Sequence, residues 1–167
     1  LQSYRGNTGG ASLAREQRRL AAIVAADVVG YSRLMGRDES GTLARLKAQR
    51  RERLEPALAR NGGRLVKTTG DGAIVEFGSA VDALRAAIEF QQGVADANKD
   101  QPEDTRIVFR IGLHLGDLIV DGDDLHGDGV NIAARLEAEA QPGGIVVSRA
   151  IHNAVTGKLT TAFHELG

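Results

Sequence analysis

The chain has 167 residues, with 21 Lys and Arg against 22 Asp and Glu and a formal net charge of −1. So even a balance excludes the strong one-sign field that draws a protein to nucleic acid or to an anionic membrane surface. Cysteine is absent, which excludes thiolate metal sites, thiol nucleophiles and a disulfide framework, and fits a cytoplasmic setting. The longest apolar run, Leu20 to Ala26, is far short of the roughly 20 residues of a membrane-spanning helix. No signal-peptide pattern opens the sequence. The first residue is Leu1, not Met, so we expect a piece of a longer protein with a regulatory domain elsewhere.

In chain order, residues 1–11 are rich in Gly and polar residues and read as a tail or linker. Ser12 can cap a short helix over 12–19. We therefore expect a flexible stretch over 1–18 and one domain over 19–167. Leu20–Val29 reads as a strand buried on both faces. Leu43, Leu46, Leu54 and Leu58 recur at helical spacing behind Asp38 and Ser40, and Asn61-Gly62-Gly63 closes that helix. Residues 64–70 and 73–77 form two strand-like runs around Asp71-Gly72, a hairpin signal. Ser79 caps a second helix carrying Val81, Leu84, Ile88 and Gln91.

From Ile107 to Val120 the alternation is regular: Phe109, Ile111 and Leu113 fall on one face, Arg110, Gly112, His114 and Gly116 on the other. A third helix follows over about 129–139, then the turn Pro142-Gly143-Gly144, a strand over 145–148 and a short helix over 149–156. A last strand is expected from Ala162. The order is βαββαβ with C-terminal additions, an α+β, ferredoxin-like plan in which an antiparallel sheet carries helices on one face.

Two carboxylates carry the first hint of chemistry. Asp27 ends an apolar strand, where an unpaired charge is costly, and Asp71 sits at the hairpin tip. The end of a central strand and a neighbouring hairpin tip can lie side by side. Paired carboxylates repel unless a cation sits between them, and metal pairs about 3.5–4 Å apart activate an attacking oxygen and steady a leaving phosphate. On spacing alone, a turn Asp at 71 and a helix-capping Asp at 27 remain open.

Four segments, 26–32, 67–72, 110–116 and 124–135, taken in this order, resemble the class III adenylate and guanylate cyclase catalytic domains, in their bacterial, adenylate-type form. Ala26-Asp27-Val28-Val29-Gly30-Tyr31-Ser32 resembles the metal-binding segment, and Lys67-Thr68-Thr69-Gly70-Asp71-Gly72 the hairpin. Arg110-Ile111-Gly112-Leu113-His114-Leu115-Gly116 resembles the central strand, and Asp124 to Arg135 the catalytic helix with its lead-in.

The resemblance implies an enzyme that converts ATP to cyclic AMP and pyrophosphate with two divalent ions, Mg²⁺ or Mn²⁺. It implies that Asp27 and Asp71, with Val28 beside them, hold the metals, and that the turn at Gly30 and Tyr31 offers backbone N–H groups to phosphates. Asn131 would orient the ribose and Arg135 would stabilise charge on the α-phosphate. Lys67 and Asp124 would read adenine, where guanylate cyclases usually carry Glu and Cys. Arg110 stands where the family places a phosphate-contacting arginine, or is an exposed strand arginine paired to a neighbour; His114 reads as structural or interfacial. Lys67 and Asp71 are at most about 13–14 Å apart along a strand, yet one would read the base and the other bind metal; the family resolves this with a homodimer whose sites are shared between chains. A further family Lys that contacts the triphosphate has no match before Gly167, Lys158 being in a different context. A catalytically silent cyclase homologue used as a dimerising regulatory module is the alternative.

Overall fold

The computed structural model describes residues 16–121 and 124–166, so the expected tail and residues 12–15 of the expected first helix lie outside the described residues. Residues 16–19 of that helix are strand instead: β1 runs Glu16–Val28 and pairs along its whole length with β4, Phe109–Asp121. A long antiparallel partner satisfies the backbone groups of Arg18 and Arg19 better than an isolated helical turn.

After β1 come α1 (Tyr31–Arg37), α2 (Glu39–Gln49), a π-helical stretch (Arg50–Leu54) and α3 (Glu55–Asn61). Asp38 caps α2 through Gly41 N–H at 3.1 Å, and Gly62, at φ +70°, closes α3. The hairpin follows as β2 (Arg64–Thr69) and β3 (Gly72–Phe77), then α4 (Ala80–Asn98) capped by Ser79, β4, β5 (Asp124–His126), α5 (Asp128–Ala138), β6 (Ile145–Val147) and α6 (Arg149–Val155). Residues 160–166 have no regular structure, so the strand expected from Ala162 does not form.

The sheet order is β2-β3-β1-β4-β5, all antiparallel, with β6 added parallel to β4. Alternate residues of the central strands feed two cores. Ala22, Val24, Phe109, Ile111 and Leu113 point into the larger one, which α4, α6 and the α2–α3 segment cover. Ala21, Ile23, Ala25 and Leu118 point the other way, where they meet Ala133 of α5. The α+β plan stands; α5 is the helix that departs from the expected single layer. Glycines explain how it fits. A Cβ on Gly112 would lie 2.3 Å from Glu137 N and 2.4 Å from Ala133 O, and one on Gly129 would lie 2.6 Å from Asp117 O. The helix backbone thus rests on the strand backbone.

Gln91, read as part of an apolar stripe, is buried but donates to Phe109 O and Gly144 O at 3.0 and 3.1 Å. It clips β4 to the turn before β6. No helix among the described residues is long and apolar enough to cross a membrane.

Candidate active site

β1 delivers Asp27 at its C-terminal end, on the α5 side of the sheet, directly across from Arg110 of β4. The β2–β3 turn delivers Asp71. That turn is centred on Gly70 (φ +59°) and Asp71, so Gly72 is not its turn residue. Gly72 serves close approach instead: a Cβ there would lie 2.8 Å from Ala26 O and 3.4 Å from Asp27 Cβ. With the tip seated this way, Val28 N–H donates to Asp71 Oδ2 at 3.2 Å. Arg50, on the π-helical stretch, donates to Gly70 O at 3.0 Å and holds the same tip from the other side. The expected juxtaposition of the two aspartates is therefore built from backbone contacts.

Glu137 also belongs here and was missed by sequence reasoning. Its carboxyl lies close enough to Asp27 that each perturbs the other's ionisation. The sequence signal was the sheet-facing stripe of α5, Gly129-Ala133-Glu137 at intervals of four. The larger apolar residues of the helix, Ile132 and Leu136, are only half-buried, whereas Ala133 and Ala140 are buried.

The charges of Asp27, Asp71, Glu137 and Arg110 are thus felt together. Burial pushes the Asp27 carboxyl up, against the Glu137 hydrogen bond, with Asp71 adding to the rise and Arg110 opposing it. Glu137 is pushed up to about 7, first by burial and then by the charge and hydrogen bond of Asp27, with Arg110 again opposing. Arg110 Nε is buried without a hydrogen-bond partner. A site crowded with carboxylates beyond its cationic complement suits a divalent cation. Among the described residues no three such side chains are arranged to hold a metal alone. A cation between Asp27 and Asp71 therefore needs further oxygens, as Mg²⁺ does when substrate phosphates supply them.

The remaining candidates are more dispersed. Gly30 (φ +63°) precedes α1 and offers no side-chain cap, which leaves the first-turn N–H groups from Tyr31 onward to other acceptors. Lys67 is exposed on edge strand β2, and Asp124 lies in β5 at the opposite edge, so the ladder does not bring the two together. Asn131 and Arg135 are both exposed on α5. His114 lies on the α5 side with Nδ1 buried and unpartnered, and burial pushes its pKa down.

Comparison with known proteins identifies relatives of the chain as a whole. The family model "Adenylate and Guanylate cyclase catalytic domain" matches residues 13–166. A Rhizobium meliloti (strain 1021) protein named "Putative adenylate cyclase 3" is 54% identical over 151 residues, 90% of this chain but only 26% of that protein. The crystal structure of an adenylate/guanylate cyclase/hydrolase from Silicibacter pomeroyi is 47% identical, with a TM-score of 0.85 over 91% of this chain and 88% of that one. The adenylyl cyclase CyaB from P. aeruginosa, at 21% identity, shares the fold with a TM-score of 0.75 over 87% of this chain and 84% of its own. By a match that spans all of the described residues, the chain belongs to the adenylate and guanylate cyclase catalytic domain family.

Proposed function

We propose that this domain is an adenylate cyclase, forming cyclic AMP and pyrophosphate from ATP at sites shared between two copies of the chain. The observation that carries the shared site is the orientation of α5. Successive residues of an α-helix are about 100° apart, which puts Asn131 and Arg135 each about 160° from Ala133. Ala133 is fully buried against the sheet, and Glu137 on the same stripe lies close to Asp27. Asn131 and Arg135 therefore face away from the carboxylates of their own chain. A site that needs both sets draws them from two chains, and a two-fold dimer supplies two such sites.

Asp27 and Asp71, with Val28 beside them, are the residues that would hold two divalent cations, Mg²⁺ or Mn²⁺. Such ions, when bound, acidify the ribose 3′-hydroxyl and neutralise the leaving pyrophosphate. The chain's own residues do the rest. Asn131 orients the ribose so that its 3′-oxygen lies in line with the α-phosphorus. Arg135 stabilises the charge that develops on the α-phosphate. Lys67 donates to adenine N1 and Asp124 accepts from its exocyclic amine, whereas guanine presents the opposite pattern at those atoms. The N–H groups after Gly30 face phosphate oxygens. Arg110, opposite Asp27, offsets the charge of the metal-binding carboxylates, a placement that favours this role over free phosphate contact.

The test is turnover of purified protein with ATP and with GTP, in Mn²⁺ and in Mg²⁺, beside Asp71→Ala. Cyclic AMP from ATP, little product from GTP and loss in the variant are expected. No product with either nucleotide, from protein shown to be dimeric, would support the silent-module reading instead.

A further inference from the structure

We propose that Arg50 is a positioning residue for the metal site: its guanidinium holds the main chain of the hairpin tip that carries Asp71. This rests on the reading of Asp71 as a metal-binding carboxylate. An arginine is out of place where Arg50 stands. Leu46, Arg50, Leu54 and Leu58 follow one another at intervals of four, and the three leucines pack into the larger core. In an uninterrupted α-helix three such steps drift by about 120°. Here Glu55 N–H bonds Arg50 O, five residues back, and the wider π turn takes up part of that drift. Arg50 is thereby kept on the inward stripe, half-buried, with its stem along apolar side chains and its charged head reaching past them. The head donates from Nη2 to Gly70 O at 3.0 Å.

Two features make that bond matter. A cavity of about 40 Å³ adjoins the tip, and Arg50 and Asp71 are the only polar residues on walls otherwise built of Ala26, Leu54, Ala73 and further apolar side chains. So apolar a space stays dry, and the side chains that face it lack the packing partners that would stiffen the strand end. The second feature is the nature of the tip's other tether, Val28 N–H on Asp71 Oδ2 at 3.2 Å. That bond occupies the carboxylate which a cation has to share. Arg50 instead takes the carbonyl of Gly70, one residue earlier. It therefore fixes where the carboxylate stands without drawing on the carboxylate's own oxygens.

Two readouts, neither of them turnover, test the assignment. Amide hydrogen exchange at Val28, followed by NMR without metal, reports whether Asp71 stays seated on the strand end. Binding of Mn²⁺ alone, followed by loss of the free-ion electron paramagnetic resonance signal, reports the site. Arg50→Met keeps the apolar stem and removes the donor. We expect it to speed Val28 exchange about three- to tenfold, the size of one net hydrogen bond. It should weaken Mn²⁺ binding about tenfold, the lower end of what a group supporting a metal ligand contributes. Arg50→Lys, whose ammonium can still donate to Gly70 O, should recover most of both. If Arg50→Met does not fold, Arg50→Gln, whose side chain is shorter, also leaves Gly70 O without its donor and should show the same two changes. Wild-type Mn²⁺ binding in the Met or Gln variant would overturn the assignment. So would weakened binding with Val28 exchanging as in wild type, or an Arg50→Lys variant that restores binding but not Val28 protection, since either points to charge rather than position. Asp71→Ala separates the two readings. If wild type binds Mn²⁺ no better than Asp71→Ala, the metal site itself fails, and this inference with it.

Discussion

Val28 N–H and the Asp71 carboxylate, 43 residues apart in sequence, meet at 3.2 Å and tie the hairpin tip to the end of the central strand. Asp71 thus has two separable duties: its oxygen satisfies a backbone donor, and its charge is available to a cation. Asp71→Asn keeps the acceptor and loses the charge, whereas Asp71→Ala loses both. Both should lower cyclic AMP formation on the order of 10²–10³-fold, the scale of losing one transition-state electrostatic contact. Only Asp71→Ala should also cost about 1–3 kcal/mol in urea unfolding, for the part-buried N–H left without its partner.

The outward face of α5 predicts complementation. Asp71→Ala and Arg135→Ala should each be inactive alone. Mixed and allowed to exchange subunits, half the dimers become heterodimers with one intact site of two, so about a quarter of wild-type activity should return. No recovery in a mixture shown by mass spectrometry to contain heterodimers would place Arg135 in the same site as its own Asp71.

Glu137 predicts a pH effect on stability. Its ordinary value near 4.5 rises to about 7 in the folded protein, first through burial and then through Asp27 and Asp71, with Arg110 opposing. Between those values the folded state holds a proton that the unfolded state has released. The stabilisation is therefore complete below about pH 4.5 and is lost as pH rises through about 7. The difference in melting temperature between wild type and Glu137→Gln should shift against wild type from pH 5 to pH 8. A difference that does not change with pH would sink the prediction.

Gly112→Ala should be costly for a residue so small. Its Cβ would meet two main-chain atoms of α5, Glu137 N and Ala133 O, at 2.3 and 2.4 Å. Backbone cannot step aside as a side-chain tip can, so a loss of about 1–3 kcal/mol is expected in urea unfolding. Activity should fall beyond what the lost stability explains, because the displaced helix carries Asn131, Arg135 and Glu137.

Base choice predicts a swap. Lys67→Glu with Asp124→Cys exchanges the hydrogen-bonding pattern offered to the purine edge. The ratio of ATP to GTP turnover should fall at least tenfold in the double variant, measured by product formation at saturating Mn²⁺. An unchanged ratio would remove both residues from base recognition.

Much of this was legible in the sequence, for physical reasons. Strict alternation from Phe109 to Leu115 set the two faces of β4, and the order of strands and helices set the α+β plan. Asp27 and Asp71 were legible as a pair because each ends an element that the topology brings together. What stayed hidden depended on contact rather than pattern. Strand pairing with Asp121, Val120, Ile119 and Leu118 drew residues 16–19 into β1, although their composition favours a helix. Helix α1, closed at Arg37 by the chain's turn into Asp38, has a single buried residue, Leu34, and so almost no periodic signal. Glu137 escaped notice because a glutamate after Arg-Leu reads as solvated helix surface. Only the seating of Gly129 and Ala133 shows that its face of the helix is the inner one.

That seating bears on how accurately the site can be held. Most helices rest on sheets through side chains, whose rotamers act as a compliant cushion and absorb small shifts. Between α5 and β4 that cushion is missing at Gly112 and Gly129, where main chain meets main chain. The helix and the strand must then move as one rigid piece. Angstrom-scale tolerance, on which in-line attack depends, is thereby set by the covalent geometry of two backbones rather than by the repacking of a core.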